Sequence, residues 1–379
     1  MSTSKFEKSA NTLLSPTRIR IARMRRGLTK VALAQQIGVP PRTITKYEND
    51  GAPASAAPVL GAALDFPPGY FLRPDALAFA AADVNFRAMR RASAQQREAA
   101  VAAGVLGVEI DRWISQRFVL PPLDLPIFVG HKPRTAARVL RGMWGLGTKP
   151  LPNLVQLCES RGIRVYTLPP FADAVDAYSI WRDDIPYIFI ARCKTPERIR
   201  FDLAHELGHL VLHYGAPAET PSAERDADAF ASEFLMPTDS LTEYLPYNAT
   251  VRELLQARSQ FKVSAMALAY AAHSSGRLTD WAYRQICIEL SQKGFRTAEP
   301  GGMPNYEISR VFAQVLAGPR NSMIDAQLIA TDLAVPVSEV HALTFGAQLR
   351  PAQAIEVTND AHRRQLTHVP ASQRHLQLV

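Results

Sequence analysis

Hydrophobic positions recur at three- and four-residue spacing along most of the chain, and two-residue alternation is confined to one short central stretch. The helical spacing predicts helices over residues 16–27, 30–37, 40–47, 56–66, 95–108, 135–144, 152–160, 251–261, 265–274 and 281–292. Runs rich in aromatic and β-branched residues at 164–168, 177–181 and 187–191 predict three strands, the last two joined by a turn at 183–186. The expected class is therefore mainly α with a small α+β part built on an antiparallel sheet.

One helical stripe carries more than a core-facing pattern. Asp202, His205, Glu206, His209 and His213 fall within one arc of about 100°, while Leu203, Leu207, Leu210 and Val211 face away. His205 and His209, four residues apart, lie one above the other, so both can offer a ring nitrogen to a single Zn²⁺ at about 2.0–2.1 Å. A second helix runs from Ser222 to a stop at Pro237, with Ala227, Phe230, Ala231, Phe234 and Leu235 as its apolar stripe. Glu224 projects only about 50° from the centre of that stripe, whereas Asp226 and Glu233 point well off it. A core-facing carboxylate is costly unless it meets a cation. Glu224 is the expected third ligand.

These stretches, His205-Glu206-Leu207-Gly208-His209 and then Glu224, Ala227, Asp228, Phe230, Ala231, Leu235, Met236 and Pro237, resemble the ImmA/IrrE family of zinc metallopeptidases over about residues 150–290. The resemblance implies a zincin-like domain with His205, His209 and Glu224 on zinc and Glu206 as general base. It further implies that the substrate is a helix-turn-helix repressor whose cleavage derepresses stress, phage or mobile-element genes. Asp226 stands where the family often has Glu or Gln. His213 is open as a further nitrogen ligand, although the resemblance favours a supporting role beyond the metal. Tyr178, Tyr187 and Tyr214 are candidates for polarising the scissile carbonyl. The strand from Tyr178 to Trp181 is the expected edge for the substrate backbone.

Charge changes the picture at the other end of the chain. Residues 1–50 hold ten basic groups against three acids, so a net of +7 sits there out of +8 for all 379 residues. Such a cluster on one small helical unit is the electrostatic footprint of a DNA binder. The stretch from Leu33 to Glu48, two helices around a turn containing Gly38, resembles the Cro/C1-type (Xre) helix-turn-helix domain. The resemblance places Leu33, Ile37, Val39 and Ile44 in the core, and Pro41, Arg42, Thr45 and Lys46 toward the major groove of a double-stranded operator. The arginines of the first helix are expected on phosphates.

The apolar positions of 33–44 are echoed at 329–340, but residues 322–346 carry Asp325, Asp332 and Glu339 with no Lys or Arg. A helix-turn-helix shape without basic groups cannot grip phosphate, so it is expected to dock or to dimerise, which allows a homodimer. Residues 119–126, rich in proline, are expected to be a stiff linker. The expected domains are 1–72 (helix-turn-helix), 73–148 (helical connector), 149–292 (zincin-like) and 293–379 (C-terminal helical region and tail). Three scattered cysteines, the absence of a signal-type apolar segment, and no run of eighteen apolar residues point away from secretion and the membrane and toward the cytoplasm. The leading expectation is a zinc endopeptidase with its own DNA-binding domain. The alternative is an Xre-type regulator whose zincin-like domain senses a ligand or partner and cuts nothing.

Overall fold

The computed structural model describes residues 13–76, 92–215, 220–317 and 324–346. The Ser15 hydroxyl accepts from Arg18 N and Pro16 fills the first turn, which starts α1 (Pro16–Arg25). Thr29 caps α2 (Lys30–Gln36), and Pro40 precedes α3 (Pro41–Asp50). Two short strands, β1 (Leu13–Leu14) and β2 (Ala52–Pro53), pair antiparallel beside them. α4 (Ala57–Leu64) and α5 (Pro68–Leu72) complete this unit. Leu33 and Ile44 are fully buried, as expected, while Ile37 and Val39 are only partly covered.

α6 (Ala94–Ser115) opens with a capping box between Ser93 and Gln96. It is more than a connector. Residues 99–108 are buried, and the helix packs on α1 and meets the central sheet through Tyr178, whose hydroxyl donates to Ala100 O, and through Phe189. Gly107 makes that approach possible, because a Cβ there would stand 2.7 Å from the Phe189 ring. Arg87, Arg90 and Arg91, which could extend a DNA footprint, lie outside the described residues, as do Lys5, Lys8 and the tail after Pro351.

After α7 (Pro133–Met143) and α8 (Leu154–Ser160) come β3 (Arg164–Thr167), β4 (Ala177–Arg182) and β5 (Ile185–Ile190). The strand order is β3-β5-β4. β4 and β5 pair antiparallel with Tyr178 opposite Phe189, but β3 pairs parallel to β5 with Arg164 opposite Tyr187. The sheet is thus mixed, where an all-antiparallel one was expected. The reason lies in the connections. Residues 168–176 carry the chain to the far edge, and the turn at Asp183 and Asp184, both left-handed (φ 50° and 59°), folds β5 back into the gap.

The sheet is the middle of three layers. Tyr166, Tyr178, Tyr187 and Phe189 form a run of neighbouring rings on the face toward α6. The other face is covered by α9 (Pro196–Leu212), which begins behind Thr195 with Pro196 in its first turn. α10 (Pro221–Leu235) packs on α9, closely at Gly208, and on α7. That second contact corrects the expectation for Glu233. It lies off the apolar stripe yet is buried, because α7 covers it and Arg134 and Arg138 donate to its carboxylate at 3.1 and 2.8 Å. Burial would raise its pKa, but the hydrogen bonds from Arg138 and Thr238 hold it below the ordinary value.

The proline-rich segment is also no free linker. Asp124 N donates to Arg161 O at 2.9 Å, Trp144 Nε1 to Asp124 O at 3.1 Å, and Phe128 N to Val211 O at 2.6 Å. It is a strap laid along the sheet-bearing unit.

The chain then continues as α11 (Thr238–Tyr244), α12 (Val251–Phe261), α13 (Ala265–Ser274), α14 (Asp280–Gln292) and α15 (Val311–Ala317). The predicted echo is present as α16 (Ala326–Leu333) and α17 (Val337–Leu343), joined through left-handed Ala334. It docks within the chain. Glu339 accepts from Arg25 Nε at 2.8 Å and Arg26 Nη1 at 2.6 Å, and Asp332 accepts from Trp113 Nε1 at 2.8 Å and Arg117 Nη2 at 3.1 Å. Thr167 Oγ1 adds a bond to Ala342 O. Among the described residues no helix is long and apolar enough to cross a membrane.

Candidate metal centre and DNA-binding face

α9 and α10 cross so that His205, His209 and Glu224 bring one donor atom each within 4.8 Å of one another. His209 Nε2 stands 2.9 Å from His205 Nε2, Glu224 Oε1 3.3 Å from His209 Nε2, and Glu224 Oε2 3.7 Å from His205 Nε2. Donors at about 2.0–2.1 Å from a tetrahedral zinc stand about 3.3–3.4 Å apart, and the three separations bracket that spacing. The chemistry of the donors agrees. His205 Nδ1 lies 3.1 Å from Asp228 Oδ1, which keeps a proton on Nδ1 and leaves the Nε2 lone pair aimed at His209 and Glu224. Two ring nitrogens and a carboxylate converging at one place are a donor set that a divalent metal takes. The residues therefore fit a metal with nitrogen and oxygen ligands.

Both histidines are buried, while Glu224 is partly open. Asp226 is not in the cluster. Glu206 is buried beside them, and Ser179 Oγ donates to its Oε2 at 2.7 Å. This serine was missed in the sequence, although a signal was there. In Ala177-Tyr178-Ser179-Ile180-Trp181 the alternation puts Tyr178 on the α6 side, so the small polar residue next to it must face α9. β4 is an outer strand of its sheet and lies against α9, the geometry expected of an edge beside the metal helix.

Two of the three candidate tyrosines are elsewhere. Tyr178 Oη donates to Ala100 O at 2.9 Å and Tyr187 Oη to Asp111 Oδ2 at 2.9 Å, both on the α6 side of the sheet. Tyr214 is exposed and stands edge-on to Trp181, whose indole donates to Leu210 O at 3.2 Å. His213 puts its Nδ1 3.0 Å from His209 Nδ1, on the side of that ring away from the cluster. Burial, and then the neighbouring His209, holds His213 below the ordinary histidine range against the pull of Asp226 and Glu224.

On the other unit, Pro41, Arg42, Thr45 and Lys46 are all exposed along α3, while Ile44 and Glu48 face inward. The arginines of α1 do not follow expectation. Arg18 pairs with Glu109 at 2.9 Å, Arg23 with Glu48 at 2.5 Å, and Arg25 and Arg26 with Glu339. Arg18, Arg23 and Arg25 are buried, and of the helix's arginines Arg20 is the exposed one. Acidic groups from α3, α6 and α17 take them, so these residues hold the unit in place. The contact reaches the sheet-bearing unit: Arg25 Nη1 donates to Pro170 O at 3.1 Å, and Phe171 packs against Gly27, where a Cβ would stand 2.1 Å from the ring.

Comparison with known proteins agrees with both units. Residues 158–273 match the model of the IrrE N-terminal-like domain, family Peptidase M78, and residues 19–58 match a helix-turn-helix model. No curated protein matches the chain. The metal-type cluster lies inside the first match and the exposed α3 inside the second, so the chain carries a region similar to a helix-turn-helix domain and a region similar to the IrrE N-terminal-like domain of a peptidase family.

Proposed function

We propose that the chain is a zinc-dependent endopeptidase that carries its own DNA-binding domain and works in the cytoplasm. Its substrate is a helix-turn-helix repressor, and cleavage derepresses stress, phage or mobile-element genes. The observation that carries the reading is Glu206: a buried carboxylate held by Ser179 next to a three-donor cluster of His205, His209 and Glu224. A binding site alone needs the three donors and has no use for the fourth group.

His205, His209 and Glu224 hold the metal, which when bound supplies Lewis acidity and brings the pKa of water down toward about 7. Glu206 takes a proton from the attacking water and returns it to the leaving nitrogen. β4 seats the substrate backbone along its edge. Pro41, Arg42, Thr45 and Lys46 read the operator from α3, which keeps the enzyme near the repressor it cleaves.

A second reading is favoured by the contact of Arg25 and Gly27 with Pro170 and Phe171, just ahead of β4. Through it, ligand or partner binding at the zincin-like unit would shift the DNA-binding unit without proteolysis. Glu206→Gln separates the two. It keeps size and hydrogen bonding but accepts no proton, so it is expected to retain zinc and DNA and to lose cleavage by about 10²–10⁴-fold. In cells that hold the repressor, wild type yields fragments and the variant leaves it whole. Equal regulation by both proteins, with no fragments in either strain, sinks the peptidase in favour of the sensor.

A further inference from the structure

A hydrogen bond between two imidazole nitrogens needs one of them protonated and the other bare. His209 Nδ1 and His213 Nδ1 face each other at 3.0 Å, with the ring centroids 5.1 Å apart. The other nitrogen of His209 points the opposite way, toward His205 Nε2 and Glu224 Oε1. A cation held by that cluster takes the Nε2 lone pair of His209 and leaves its proton on Nδ1. His209 Nδ1–H then donates, His213 Nδ1 accepts, and the proton of His213 sits on its own Nε2.

We infer that His213 is a positioning residue that sets the tautomer and ring plane of His209 toward the metal, and is not itself a ligand. The nitrogen it directs at His209 lies across that ring from the cluster, and the group that can hold an ion, His205, His209 and Glu224, does not include it. The two metal histidines are therefore supported differently. Asp228, a carboxylate, accepts from His205, and a neutral imidazole accepts from His209. Partners of this kind orient the ring and raise its basicity, and their loss typically weakens metal binding by about 10–100-fold.

The inference rests on the metal reading of the cluster, and the test keeps the two apart. Zinc alone is titrated into the intact apo-protein against a chelating indicator, for wild type, His213→Asn and His213→Phe, with thermal melting as a check on folding. Asparagine places Oδ1 where Nδ1 stood and can accept from His209; phenylalanine fills the space and cannot accept. The expected result is zinc affinity within about threefold of wild type for His213→Asn and a loss of about 10–100-fold for His213→Phe. A His213→Phe protein that binds as tightly as wild type overturns the inference. So does a His213→Asn protein as weak as the phenylalanine variant, since packing or direct ligation would then explain the residue. Cobalt in place of zinc gives a second view. An unchanged visible spectrum for His213→Asn is expected, and a spectrum that loses one nitrogen donor would make His213 a ligand. A wild-type protein that takes up no zinc brings down the metal reading itself, and this inference with it.

Discussion

Ser179 Oγ donates to Glu206 Oε2 at 2.7 Å, and both residues are buried, so the outer strand β4 and the carboxylate on α9 are tied by one hydrogen bond. Ser179→Ala takes one donor from a buried carboxylate, a loss worth about 1–3 kcal/mol. The expected outcome is a drop in kcat of about tenfold with KM little changed and zinc content unaltered. Ser179→Thr, which keeps the hydroxyl, is expected to recover part of the rate. Steady-state kinetics on the proposed repressor substrate check this; a raised KM at constant kcat would make Ser179 part of the substrate seat instead.

The donor cluster makes a sharp contrast between two neighbouring acids. Glu224 stands in the donor cluster and Asp226 does not. Metal analysis is expected to find about one zinc per chain in wild type and in Asp226→Ala, and little in His209→Ala or Glu224→Ala. Zinc that binds only the folded chain adds to stability by mass action, so a chelator is expected to lower the melting temperature of wild type and leave Glu224→Ala unmoved. Loss of zinc from Asp226→Ala would contradict the cluster.

For DNA, the exposed residues of α3 and the paired arginines of α1 are expected to behave oppositely. Arg42→Ala with Lys46→Ala should abolish specific operator binding and leave zinc content intact. Arg25→Ala should leave the salt dependence of DNA binding unchanged, because its guanidinium is committed to Glu339 and Pro170 O. It should instead lower stability, by about 1–3 kcal/mol, since Glu339 is buried and loses a donor. Gel shifts over a salt series and urea melts measure the two; a shallower salt slope for Arg25→Ala would return that residue to the phosphates.

Glu159 gives a dependence on pH. Burial pushes its carboxyl up to about 7 from an ordinary 4.5, despite hydrogen bonds from Ser309 and from the backbone of Arg310 and Val311. Between those values the folded chain holds a proton that the unfolded chain has released, so stability falls as pH rises through the window. The full contribution is present at acid pH and is lost above about 7. Urea melts are expected to show wild type losing about 1–3 kcal/mol across that range from this group, and Glu159→Gln losing markedly less. Parallel pH profiles for the two proteins would remove Glu159 as the source.

Relations within one element were legible in the sequence. The His205 and His209 pair, the phase of Glu224 on its helix and the exposed positions of α3 all follow from a 3.6-residue repeat, which acts over a few residues. What covers each face was not legible, because it depends on elements far along the chain. Glu233 became buried only when α7 lay over it, the α1 arginines met acids from α3, α6 and α17, and β5 slid between β3 and β4. A charge written in the sequence carries no label for its partner. The tertiary structure chose those partners, since a buried ionic group must be paired wherever packing brings an opposite charge. The same packing brought Ser179 to Glu206 and fixed the carboxylate of the helix motif in place.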